Sequence, residues 1–198
     1  SQREKEITAY HESGHALVAV SLKDSDPIQK ISVISRGFAG GYTLKLPLED
    51  VRLRTRSQFL SDLAMMMGGY AAEQVIFGEM STGASNDLQK ATDLARSLVT
   101  KYGMSDKLGP MTFGKTEELV FLGKEIGHEK NYSESVATKI DEEVHGFINR
   151  AYEAAKKIIT SRKKVLETIA KILLEKEEIE HEELYELLKP FKLKLLAV

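Results

Sequence analysis

Between residues 3 and 22 apolar side chains return every three or four positions. Ile7, Val18 and Leu22 share one face, and His11 and His15 fall on it with them. That period predicts an amphipathic helix over 3–22 whose histidines lie one turn apart on the apolar stripe. Lys23 to Pro27 ends it. Over 28–46 the period shortens to two. Ile31 and Val33 alternate with polar residues, as do Tyr42, Leu44 and Leu46, and Arg36 to Gly41 supplies a turn. A β-hairpin follows from this pattern. Two strands alone are marginal in water, so the hairpin must pack on helices, with its outer edge open to an extended peptide.

From Glu49 onward the helical period returns. Residues 56–77 predict one helix carrying Leu60, Leu63, Ala64, Met67, Ala71 and Val75. Gly68-Gly69 interrupts it at about 1 kcal/mol per glycine relative to alanine, and close approach of another helix is the expected compensation. Gly78 to Gly83 reads as a loop, and 86–102 as a helix capped by Ser85 or Asn86. Residues 103–132 hold five glycines and no clear period, which marks a functional or mobile loop. Helices return over 133–160, 162–176 and 181–189, and the acidic run Glu175 to Glu183 reads as a solvated helix end and turn. The fold class is therefore mainly α with a small β-hairpin. One domain spans 1–198, with a helical core over 3–105 and a C-terminal helical part over 133–189.

Composition narrows the chemistry. The 198 residues are 42% hydrophobic and 29% charged, with net charge −2, so nothing points to a nucleic-acid partner. There is no cysteine. Disulfides and thiolate metal sites are excluded, and any zinc must be held by His, Asp or Glu. No apolar run approaches the roughly 20 residues that span a bilayer, and no signal peptide is visible. The chain opens on helix-forming sequence without an initiating Met, as expected of a soluble segment cut from a longer protein.

His11-Glu12-Ser13-Gly14-His15 fits H-E-x-x-H. On a helix, that spacing lets two imidazoles bind one zinc ion while Glu12 takes a proton from water. A catalytic zinc needs a third protein ligand. Asp87 is one candidate: Ala91, Leu94, Ala95 and Leu98 follow it on one helix face, where an unpaired carboxylate is costly. Without a metal it would serve only the helix dipole. Glu73 is the other, as a ligand or as a group that holds a ligating imidazole. His128, His145 and His181 lie in polar surroundings and read as surface residues.

Gly109 to Thr116 matches the phosphate-loop pattern G-x-x-x-x-G-K-[ST]. A functional loop of that kind follows a buried strand and opens a helix. Here it follows a helix end, Met104 to Leu108, and Glu117 and Glu118 come next, so nucleotide binding is not expected.

Ala9 to Ala16, Gly41-Tyr42-Thr43, Gly68-Gly69 with Ala72-Glu73, and Ser81 to Leu88 are a familiar set. So are Tyr102 to Ser105, Leu108 to Pro110 and Val120 to Gly123. In this order the chain, from about 3 to 188, resembles the peptidase domain of the FtsH family of membrane-anchored, ATP-dependent zinc metalloproteases. The resemblance implies that His11, His15 and Asp87 bind one zinc ion per chain and that Glu12 is the catalytic base; Asp87 then fills the ligand place for which Glu73 is the other candidate, and Glu73 stays a candidate for holding a ligating imidazole. The resemblance also implies polypeptide substrates, a homohexamer, and a place on the cytoplasmic side of the inner membrane. ATP would act only through an ATPase module that, with the membrane helices, lies outside this chain. Two positions depart from the family: Ser13 stands where Ala is common, and Tyr70 where Arg is usual. The rival reading is a non-catalytic helical module that assembles the ATPase ring, and metal content separates the two.

Overall fold

The computed structural model describes residues 1–35, 40–45, 53–117 and 127–198. The predicted turn at 36–39, Leu46, the stretch from Glu49 to 52, and Glu118 with Val120 to Gly123 lie outside the described residues. So does the side chain of His128.

Helix α1 (Gln2–Ser21) starts on a capping box: Glu4 N–H donates to the Ser1 hydroxyl, and the Glu4 side chain reaches back to the Ser1 backbone. The predicted apolar stripe proves too narrow a description. Every residue from His11 to Ala19 is buried. Small side chains at Ala9, Ser13, Gly14, Ala16 and Ala19 let neighbours crowd the helix from several sides, so α1 is the central rod of the molecule rather than an amphipathic surface helix.

The predicted helix over 56–77 is two helices, α2 (Arg56–Met66) and α3 (Gly68–Phe77), broken at Met67. The expected close approach is there. A Cβ on Gly14 would lie 2.3 Å from the Gly68 carbonyl oxygen, and one on Gly68 would lie 2.6 Å from that of Gly14. Backbone meets backbone at this crossing, which offsets the poor helix propensity of both glycines. A 3-10 turn (Thr82–Ala84) follows, with its N–H of Gly83 donating to the Ser81 hydroxyl. It leads into α4 (Ser85–Thr100). Neither Ser85 nor Asn86 caps that helix: Ala84 holds the cap position with no side-chain hydrogen bond, because the turn before it already carries the cap at Ser81.

The long helix α5 (Glu134–Ser161) and α6 (Lys163–Lys176) complete the helical core, where α1 packs on α3 and α6, and α5 spans α2, α3 and α4. Leu17, Leu63, Leu98, Ile159, Leu166 and Ile169 are fully buried there. The short helix α7 (His181–Leu188) closes the chain's helical part.

The hairpin forms from β1 (Ile28–Ser32) and β2 (Tyr42–Lys45), antiparallel with Ile31 opposite Thr43. It has a third member. Within the acidic run read as a solvated turn, Glu178–Glu180 forms β5 and pairs antiparallel with β1, putting Ile179 opposite Ile31 in the core. The sheet order is β2-β1-β5, which leaves β2 at an edge among the described residues. Two short strands, β3 (Lys115–Glu117) and β4 (Gly127–Glu129), pair within the stretch expected to be irregular. Thr116 thus sits in a strand rather than at a helix N-terminus, which removes the context a phosphate loop needs. The tail over 191–198 returns to α1: Leu196 N–H donates to the Ser21 carbonyl and Lys23 N–H to that of Leu196.

Candidate metal centre

α1 presents His11 and His15 one turn apart, both buried. Each ring is anchored from behind. His11 Nδ1 donates to Glu73 Oε1 at 2.6 Å, and His15 Nδ1 donates to the Met65 carbonyl at 2.7 Å. The break at Met67 leaves that carbonyl at a helix end, where the last oxygens lack intrahelical partners. Carbonyls and carboxylates only accept, so each Nδ1 carries the proton and each Nε2 presents a lone pair.

Those lone pairs converge. The two Nε2 atoms stand 3.0 Å apart, and Asp87 Oδ2 is 2.9 Å from the first and 3.1 Å from the second. Asp87 enters from the first turn of α4. Three acceptors this close repel unless a shared positive charge sits among them. Two neutral imidazoles and a carboxylate are a donor set suited to zinc, with room left for a fourth ligand. Among the described residues, these three are the group of acids and histidines able to hold a metal ion.

The electrostatics report the same tension. Burial alone would lower the His11 imidazole, but the Asp87 and Glu73 carboxylates outweigh it and raise its pKa to about 10. Asp87 is pushed up by burial and pulled down further by His11 and His15, so its carboxyl lies well below the usual range. Without a metal, the positive charge these acceptors share is a proton on His11; a metal ion would displace that proton and leave both imidazoles neutral.

Glu73 is fully buried and serves two elements. Its second oxygen accepts from the Ser81 N–H at 2.6 Å, so one carboxylate holds both His11 and the loop that leads to Asp87. Burial acts to raise its pKa, but the His11 imidazole and the Ser81 amide prevail and hold it below the ordinary value. Glu73 is thus brought behind the ligands and not among them. Gly69 belongs to this packing: a Cβ there would lie 2.4 Å from His11 Cε1 and Nε2.

Glu12 is buried beside the pair and accepts from the Thr43 hydroxyl of β2 at 2.8 Å through Oε2. In the sequence Thr43 showed only as a strand residue and as part of the Gly41-Tyr42-Thr43 segment, with no sign of a contact to Glu12. An open cleft of about 660 Å³ runs past these residues, bordered by Ile7, Thr8, Gly41, Ser81 and Thr82. A second cleft of about 700 Å³, lined by Arg96, Lys101, Phe113 and Gly114 among others, lies away from all of them. Of the other described histidine side chains, His145 is exposed, and His181 Nδ1 donates to the Ile28 carbonyl at 2.7 Å. The two departures are accommodated. Ser13 donates to the Ala9 carbonyl within α1, and Tyr70 meets Tyr152 edge to face at 5.6 Å.

Comparison with known proteins covers this whole constellation. The chain is 52% identical over 184 residues to the ATP-dependent zinc metalloprotease FtsH 1 of Thermomicrobium roseum, covering 93% of this chain and 28% of that protein. It is 49% identical over 180 residues to the ATP-dependent zinc metalloprotease FtsH of Veillonella parvula, covering 91% and 28%. With the protein of that name from Thermotoga maritima it shares 51% over 189 residues, covering 95% and 31%. The chain therefore spans under a third of the length of these relatives. The family model for peptidase family M41 matches residues 1–187, which takes in the histidine pair, the glycine break, Glu73 and Asp87 together. By that match the chain is a member of peptidase family M41.

Proposed function

We propose that this chain is the peptidase part of a membrane-anchored, ATP-dependent zinc metalloprotease and hydrolyses peptide bonds of unfolded polypeptides. The observation that carries this reading is the convergence of His11 Nε2, His15 Nε2 and Asp87 Oδ2 beside the buried carboxylate of Glu12. His11, His15 and Asp87 would hold the zinc ion. When bound, zinc supplies Lewis acidity toward the scissile carbonyl and brings the attacking water toward a pKa of about 7. Glu12 takes the proton from that water and delivers it to the leaving amine. Glu73 and the Met65 carbonyl keep the imidazoles in the tautomer that leaves Nε2 open. Gly40 and Gly41, which lead into β2, line the cleft, and among the described residues β2 lies at the sheet edge, where an extended substrate would add as a further strand.

The relatives' name, ATP-dependent zinc metalloprotease, supports the metal and the link to an ATP-driven motor; the ring and the membrane anchor rest on the family resemblance. In this reading the ATPase motor and the membrane anchor belong to sequence beyond these 198 residues, six copies form a ring, and this domain faces the cytoplasm. No helix among the described residues is long and apolar enough to cross a membrane. Glu12→Gln is the test of the chemistry. It should retain zinc and lose turnover of an unfolded polypeptide by about a thousandfold or more. Substantial residual hydrolysis would reject Glu12 as the base.

A further inference from the structure

A glutamate side chain has three torsions, and a general base acts only from the rotamer that reaches its proton. α1 provides the backbone of Glu12 but nothing in the helix fixes its carboxylate. The hydrogen bond that does so comes from the sheet. Thr43 Oγ1 donates to Glu12 Oε2 at 2.8 Å, the shorter of its two contacts with Glu12; the other, to the Glu12 carbonyl oxygen, is 3.4 Å.

We infer that Thr43 is a positioning residue: its hydroxyl holds Oε2 of Glu12 and thereby leaves Oε1 as the oxygen that exchanges the proton. This rests on the assignment of Glu12 as the base. Three features fix the hydroxyl. Thr43 is β-branched and sits in register opposite Ile31, so its χ1 is restricted. Lys45, two residues on, donates to the buried Asp62 at 2.6 Å and pins the end of β2 to α2. Gly41, two residues before, lets the strand start against α1: a Cβ there would come within 3.0 Å of Glu12 Cγ. β2 is thus locked on both sides of Thr43, and Gly41 at its start lines the cleft beside Glu12.

The test uses the zinc-loaded protein with its full chain and a short quenched-fluorescence peptide. Thr43→Val removes the hydroxyl and keeps the branched shape. It should lower kcat by about tenfold or more while KM and zinc content stay within about twofold, because a misaligned base costs rate rather than binding. Thr43→Ser should restore kcat to within about threefold, since the donor is back. Thr43→Ser and Thr43→Ala differ only in the hydroxyl. They should show the same gap in kcat, and they decide the matter if the valine variant does not fold. Unchanged kcat in Thr43→Val, equal losses in the serine and alanine variants, or a loss confined to KM overturns the inference. Glu12→Gln, assayed alongside, separates the two claims. If it keeps turnover, the base assignment fails and the positioning role with it. If it is inactive while Thr43→Val is fully active, the positioning role alone fails.

Discussion

At Gly69 a hydrogen lies where any other residue would place a carbon 2.4 Å from the His11 ring. Gly69→Ala should therefore turn His11 away from Nε2 of His15 and weaken zinc affinity by about tenfold to a hundredfold, the range seen when groups that orient metal ligands are lost. Competition with a chromogenic chelator measures it, and undiminished affinity would mean the ring has room to yield. His11 also sets a pH dependence in protein stripped of metal. Its folded pKa is raised to about 10 from an ordinary 6.5, so the folded state holds the proton more tightly than the unfolded chain. The stabilisation is full below pH 6.5, declines as the unfolded state stops binding the proton, and is gone above about 10. The melting temperature of metal-free protein should accordingly fall as pH rises through that window, and zinc should flatten the profile. A metal-free melting temperature that rises from pH 7 to 9 would contradict the arrangement around His11.

At the scale of elements, the sheet edge depends on charge. Asp62, buried on α2, receives Lys45 from β2 and Arg54 from the segment before α2, and Arg54 also meets Asp26. Asp62→Ala leaves two half-buried cations without their shared partner. It should destabilise the fold by about 2 kcal/mol or more and raise KM for extended peptides, read by urea denaturation and steady-state kinetics. A variant with unchanged urea midpoint and KM would show that β2 is held by backbone pairing alone. The elements also show what a sequence reveals. The H-E-x-x-H helix was legible because its spacing is chemistry as well as period. The choice between Asp87 and Glu73 was not legible from helix faces, since both carboxylates lie on apolar ones; the family resemblance pointed to Asp87, and the crossing of α1, α3 and α4 is what brings Asp87 to Nε2. The split at Met67 was hinted at by Gly68-Gly69, yet its use in freeing the Met65 carbonyl for His15 needed the fold. β5 escaped notice because three residues inside an acidic run show no alternation to read; pairing with β1 makes them a strand. Thr43 belonged to a familiar segment, but its role was not legible there, because a hydroxyl acting on a distant carboxylate leaves no local pattern.

Over the whole molecule, two halves far apart in sequence are joined through α1. Its middle carries the ligands and faces α3, while α5, α6 and the returning tail meet it elsewhere. A helix buried so completely can hold two imidazoles rigidly, because every neighbour resists its movement. Binding of one metal ion should then stabilise the entire fold and not a loop, so zinc removal should lower the single unfolding transition by several degrees without creating a second one. The central claim is that His11, His15 and Asp87 form one metal site. Metal analysis of the purified protein and its Asp87→Ala variant tests it most directly. About one zinc per chain in the parent and almost none in the variant is the predicted result; a parent without zinc, or a variant that keeps it in full, would contradict the account.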